Sequence, residues 1–237
     1  AAEEMRHRIL GALGRSHSEL AGRVDVTTFH AWGLNFLKSY GHRVGLAPDF
    51  RLLSPGDLYI LLRQHLAELS LDPFKMLAAP VFYLPAIIGA IGRCKDELCD
   101  PERYRQLARD EAARLIDEAE EHLAGKRTKK AERDAERARR SASRVREMAE
   151  IYDRYERLLR AANVVDYGDL IMRAVKALQQ PDVAAAIHAR YRVILVDEFQ
   201  DINYASGVLV RLLDGGRGRV WAVCDLWQSI YHLWGVS

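Results

Sequence analysis

Three short runs of β-branched and aromatic residues interrupt a chain otherwise patterned for helix: Val24 to Phe29, Val193 to Val196 and Val220 to Val223. Each is too short for a buried helix, and the pattern predicts buried parallel strands. The second and third run into acidic residues at Asp197 and Asp225. Strands separated by helical stretches predict an open α/β sheet, in which ligands sit beyond the carboxyl ends of the strands. Asp197, Glu198 and Asp225 therefore fall on the working edge.

The first two runs are separated by roughly 160 residues, far more than an ordinary crossover needs. Ser54-Pro55-Gly56-Asp57 predicts a helix start, with Ser54 as cap, Pro55 at the first position and Leu58, Leu61, Leu62 and Leu66 following. Asp100-Pro101-Glu102 repeats that signal, and Gly125 predicts the stop. Next comes a seam stepping by threes and fours from Ala131 through Ala135, Ala138, Ala142, Val145, Met148, Tyr152, Tyr155 and Leu159 to Ala162. Its first half offers only alanine, which gains little by burial, so that half is expected to be weakly anchored. The uncharged run Leu77 to Gly92 contains Pro80 and Pro85 and falls short of the roughly 20 residues needed to span a bilayer. It reads as a buried hairpin or short helix. No internal repeat is visible. The expectation is a sheet domain interrupted by a helical insertion, with 1–75 and 163–237 forming the sheet part and 76–162 the insertion.

The chain has 237 residues, 49% apolar and 29% charged, which excludes wholesale disorder and fibrous repeats. Three cysteines without a CxxC pair give neither a disulfide framework nor a zinc ribbon. No basic region precedes an apolar stretch at the start, and the absence of an initial methionine reads as a cut end. The expected location is cytoplasmic, with no membrane partner. The formal net charge of +2 hides an asymmetry. Residues 126–146 carry a local charge of about +7, which leaves about −5 elsewhere, so any case for nucleic acid is local.

The strongest chemical signal is Ile194-Leu195-Val196-Asp197-Glu198-Phe199-Gln200-Asp201. An apolar strand delivers two adjacent carboxylates: one able to hold magnesium, usually through water, the other able to orient or deprotonate an attacking water. That is the Walker B arrangement of a nucleotide hydrolase; a bare string of this kind also occurs as an acidic loop after a core strand. After the third run comes Cys224-Asp225-Leu226-Trp227-Gln228-Ser229-Ile230-Tyr231. The Gln228 amide can both donate and accept, which suits a γ-phosphate or its attacking water, although a surface turn would also fit.

With these pieces in order, the chain resembles the UvrD/Rep-like superfamily 1 DNA helicases nearly end to end. Ala1-Ala2-Glu3-Glu4-Met5-Arg6 is similar to the tail of motif Ia, and Thr28-Phe29-His30 to the Thr-Phe-His motif at the end of a strand. Lys95-Asp96-Glu97 resembles a stretch of the inserted helical subdomain, and Val165-Asp166-Tyr167-Gly168-Asp169-Leu170 the Asp-Phe-Asp-Asp-Leu element. Asp197 to Asp201 is the family's Walker B wording, and Gln228-Ser229-Ile230-Tyr231 the core of motif III.

The resemblance implies a partial RecA-like P-loop NTPase sheet domain with an all-helical insertion, from a motor that uses ATP and Mg2+ to move on single-stranded DNA and unwind duplex DNA. Asp197 would help to hold magnesium, Glu198 would be the general base and Gln228 would sense the γ-phosphate. Thr28, Phe29, His30 and Tyr231 would line the single-strand track, where aromatic rings stack on bases without sequence preference. In the basic stretch, Lys129, Lys130, Arg137 and Arg140 are candidate duplex contacts; a solvated charged face is the competing reading.

Departures from the pattern set further expectations. No GxxxxGK[ST] loop occurs in these residues. The phosphate loop is thus expected before residue 1 and the second RecA-like motor domain after residue 237, so the chain alone is expected to be inactive. In motif III, Cys224, Leu226, Trp227 and Leu233 replace the usual types, and Trp234 is the candidate replacement stacking ring. A catalytically inactive helicase-like module that binds DNA or protein is the alternative.

Overall fold

The computed structural model describes residues 2–13, 24–69, 83–124 and 128–225. In chain order its elements are α1 (Ala2–Leu13), α2 (Phe29–Tyr40), β1 (Arg51–Leu52), α3 (Pro55–Gln64), α4 (Leu84–Asp96) and α5 (Pro101–Ala124). Then come α6 (Lys129–Ala161), β2 (Val164–Val165), α7 (Tyr167–Leu178), α8 (Pro181–Arg190), β3 (Ile194–Val196), α9 (Tyr204–Asp214) and β4 (Val220–Ala222). The class is α/β, and the described residues are mostly helical with two small parallel sheets among them. Among the described residues no helix is long and apolar enough to cross a membrane.

Two compact units emerge: residues 1–48, 173–201 and 206–237 form one, and residues 49–172 and 202–205 the other. The stretch 76–162, expected as the insertion, lies within the second. That unit begins earlier and ends later because β1 pairs in parallel with β2, Arg51 opposite Val164 and Leu52 opposite Val165. Pairing across so long a separation ties both flanks of the helical stretch together.

The helix starts of the second unit follow their capping chemistry. Ser54 Oγ accepts the Asp57 N–H at 3.2 Å with Pro55 in the first turn, and Asp100 Oδ1 accepts the Arg103 N–H at 2.9 Å. Thr128 Oγ1 caps α6 through the Ala131 N–H at 3.1 Å. The apolar run from Leu77 continues past Gly92 as the helix α4, which buries Leu84, Ile87 and Ile91; residues 77–82 lie outside the described residues.

Around these three pack Leu58, Leu62, Ile151, Tyr152, Tyr155 and Leu159, the main core. Helices α5 and α6 lie against each other, and their far half holds a separate small core of Ala119, Ala135 and Ala138 with Leu123 alongside. Two cores of such different side-chain size give α6 a heavily packed carboxyl half and a lightly packed amino half.

The first unit holds the second sheet, in which Ile194, Leu195 and Val196 of β3 lie parallel to and opposite Val220, Trp221 and Ala222 of β4. These runs were expected to be buried, yet Leu195 is 73% and Trp221 70% exposed, and of the six residues only Val196 is buried. Burial on both faces needs a layer on each, and the described residues supply cover on one. The approach to β4 is set by the turn after α9: Asp214 accepts the N–H groups of Gly218 and Arg219, both at 2.9 Å. Gly215 there takes φ +60, and an added Cβ would stand 2.3 Å from the His188 ring.

One expected strand is corrected. Val24 to Thr28 has no regular secondary structure, and Phe29 opens α2 rather than closing a strand. Thr28 Oγ1 accepts the Ala31 N–H at 3.2 Å, so the β-branched residue that suggested a strand serves as a helix cap.

Candidate functional site

Strand β3 delivers Asp197 and Glu198, both exposed, at its carboxyl end. Glu198 has φ +51, a left-handed conformation that a side chain with a Cβ rarely adopts. Three backbone bonds hold the turn: Val223 N–H to Val196 O at 2.9 Å, Phe199 N–H to Val223 O at 2.9 Å and Asp201 N–H to Glu198 O at 3.0 Å. Such strain persists where the surroundings over-determine it, as at functional sites. The two backbone hydrogen bonds of Val223 lock the ends of β3 and β4 together, so the acidic turn and the chain leaving β4 share one rim.

Gln200 completes this arrangement. Its Nε2 donates to Glu198 Oε2, while its Oε1 accepts the Asp225 N–H at 3.0 Å. One amide thus orients the Glu198 carboxylate and fastens the first described residues of the motif III segment beside it. Sequence reasoning gave Gln200 no task beyond motif membership. The amide's capacity to donate and accept at once, two residues past a carboxylate, was the available signal. Gln228, Tyr231 and Trp234, with the altered positions Leu226, Trp227 and Leu233, lie outside the described residues.

Thr28 and His30 are exposed and Phe29 is half-buried at the amino end of α2. They belong to the same unit as Asp197 and Glu198. The backbone before them is held from the side: Asp25 Oδ2 accepts the Tyr191 hydroxyl at 2.9 Å and an Arg190 guanidinium N–H at 3.1 Å. The second unit carries Lys129, Lys130, Arg137 and Arg140, all exposed on α6. Arg140 is paired with Glu136 one turn back.

Two further motif pieces, Lys95 and the Asp166-to-Leu170 element, meet in one buried cluster of the second unit. The Lys95 ammonium lies 2.6 Å from Asp166, 2.6 Å from Glu156 and 3.1 Å from Asp169, with no exposure of its side chain. Asp166 and Asp169 accept each other's backbone N–H groups at 2.8 and 3.2 Å, a reciprocal cap that opens α7. The Tyr155 hydroxyl also donates to Asp166.

Burial by itself would drive the ammonium neutral, but Asp169, Asp166 and Glu156 outweigh it and hold the Lys95 pKa above the ordinary lysine range. Burial likewise opposes ionisation of Asp166, and Lys95 overcomes it to hold that pKa low. Glu156, Asp166 and Asp169 bring their oxygens within 4.8 Å of one another, as metal ligands would. Their cation seat is filled by the lysine. Asp197 and Glu198, by contrast, are oxygen donors facing solvent, a set that suits magnesium held partly through water.

Comparisons with known proteins show the family. The family model for the UvrD/REP helicase N-terminal domain matches residues 1–235, and the chain belongs to that family. It is 33% identical to the ATP-dependent DNA helicase UvrD1 of Mycobacterium tuberculosis over 247 aligned positions, covering 100% of this chain and 27% of that protein. Against the ATP-dependent DNA helicase Rep of Escherichia coli it is 31% identical, covering 98% of this chain and 28% of Rep. Against the ATP-dependent DNA helicase PcrA of Leuconostoc citreum it is 29% identical, covering 100% and 26%. The chain thus spans about a quarter of the length of these relatives.

Proposed function

We propose that these residues are part of the first RecA-like motor domain, with its helical insertion, of an ATP-dependent DNA helicase that moves on single strands and unwinds duplex. The observation that carries the reading is the turn after β3, where Glu198 is strained to φ +51 and Gln200 bridges its carboxylate to the Asp225 backbone. A carboxylate aimed in this way is prepared to orient or deprotonate a water before any nucleotide arrives. Asp197 would hold Mg2+, which when bound neutralises charge on the phosphates. Gln228 would contact the γ-phosphate, and the phosphate loop and second motor domain would come from other parts of the polypeptide.

Thr28, Phe29 and His30, with Tyr231 and Trp234, would follow the single strand, the aromatic rings stacking on bases. Lys129, Lys130, Arg137 and Arg140 would meet duplex phosphates with a salt-dependent affinity. The test is Glu198→Gln in the full-length protein. It should lower DNA-stimulated ATP hydrolysis by at least about 100-fold while nucleotide binding survives, the loss expected of a general base. Undiminished turnover would remove Glu198 from that role, whereas no hydrolysis by the unmutated full-length protein would favour a module that binds without catalysis.

A further inference from the structure

Asp25 and Trp32 flank the Thr28-Phe29-His30 segment, and both are fastened to one phenol. The Tyr191 hydroxyl accepts the Trp32 indole N–H at 3.1 Å and donates to Asp25 Oδ2 at 2.9 Å. Its polarity is fixed, because indole can only donate and an ionised carboxylate can only accept. Arg190 reinforces the clamp, donating to the same Asp25 oxygen at 3.1 Å with its guanidinium 5.2 Å from the Tyr191 ring centre. Along α2 the grip extends inward, Trp32 stacking on Phe36 at 4.8 Å and Phe36 on Tyr40 at 5.0 Å.

Tyr191 ends α8 and stands three residues before β3, the strand that delivers Asp197 and Glu198. The same hydroxyl therefore grips both sides of one motif and sits on the short tether to the other. All of these residues lie in one compact unit.

We propose that Tyr191 is a positioning residue that links the Thr28–His30 segment to the strand carrying Glu198, so that DNA held at the first is felt at the second. This rests on the helicase reading above. A displacement of the backbone at Thr28 moves Asp25 or Trp32, and their shared hydrogen-bond partner passes it to residues 191–194. The link has the physical form coupling requires: a contiguous network of directional bonds between two sites.

The experiment uses the full-length protein with single-stranded oligonucleotide and ATP. Tyr191→Phe keeps the ring and removes only the hydroxyl. It should raise the DNA concentration for half-maximal stimulation of hydrolysis about tenfold, the scale of one hydrogen bond to a charged acceptor. The DNA-free hydrolysis rate should stay within about twofold and the melting temperature within a couple of degrees. Trp32→Phe should shift the same midpoint in the same direction by less. An unchanged midpoint overturns the link, and so does a midpoint shift accompanied by equal losses in DNA-free rate and melting temperature, which marks a structural role only. If the unmutated protein shows no DNA-stimulated hydrolysis, the helicase reading fails and the link with it. If it shows that activity and Tyr191→Phe responds identically, the link alone fails.

Discussion

Val164-Val165-Asp166 and Ile194-Leu195-Val196-Asp197 are nearly the same local sentence: a short parallel strand ending in an aspartate with more acid close behind. Their fates are opposite. At Asp166 the carboxylates close around the Lys95 ammonium and disappear from solvent. At Asp197 and Glu198 the carboxylates face solvent with a neutral amide for company. The difference lies in where the neutralising charge comes from. A protein that supplies its own cation has built a fastening, because one internal ammonium holds all three acids together. Under the function proposed above, strand-end acids left open to solvent and strained in backbone keep a place for charge from outside.

The comparison breaks most violently if the internal cation is removed. Lys95→Met keeps the stem and deletes the ammonium, abandoning Glu156, Asp166 and Asp169 in a buried pocket. Removing one partner of a buried ionic cluster costs about 3–5 kcal/mol, so the urea midpoint of the unit should fall sharply. A loss below about 1 kcal/mol, the scale of a surface pair, would mean that the cluster is solvated and the contrast with Asp197 is false.

The open site should answer in the other direction. Glu198→Gly removes the Cβ from a residue held at φ +51 and relieves a strain of about 1 kcal/mol, partly offset by the greater freedom of glycine when unfolded. Stability should hold or rise while ATP hydrolysis by the full-length protein is lost. A substitution that stabilises the fold and removes the activity separates a working residue from a fastening one. Clear destabilisation measured by urea would show that Glu198 is there for structure.

How much of this was legible depended on the range over which the deciding interactions act. Helix starts at Ser54-Pro55 and Asp100-Pro101 are written within four residues, so they could be read directly. Strands β3 and β4 were marked by their β-branched runs, and the acid pair by its place at the end of one. Val24 to Phe29 carried the same run and was misread, because capping by the Thr28 hydroxyl gave the backbone a local alternative. The two-residue pairing of Arg51-Leu52 with Val164-Val165 has no periodicity to detect. Lys95 stood out only as part of a resembling stretch, and its role was not legible, since its three partners come from distant positions on α6 and at the start of α7. At the candidate site the acids were visible. The positive φ of Glu198 and the bridge made by Gln200 were not, because both are products of the β3–β4 register rather than of residue type.

Glu147 offers a third kind of carboxylate, buried like Asp166 but lacking its cation. It lies on α6, 8% exposed, and among the described residues neither of its oxygens has a hydrogen-bond partner. Burial, helped by the negative charge of Glu150 and opposed by Arg144, pushes its pKa up to about 7. The folded state therefore holds this proton more tightly than the unfolded chain, in which a glutamate titrates near its ordinary value. Stability from the neutral form is fully present below about pH 4.5 and is lost as pH rises through about 7. Glu147→Gln fixes the neutral form at every pH. Its melting temperature should exceed that of the unmutated chain at pH 8 by about one or two degrees, and the advantage should vanish by about pH 4. The effect is the smallest of the three because a single unpaired acid can escape its penalty by keeping a proton, a route that the Lys95 cluster, stripped of its ammonium, would have to take several times over. An advantage equal at both pH values would show that Glu147 is ionised and solvated in the folded chain, and would return it to the class of Asp197.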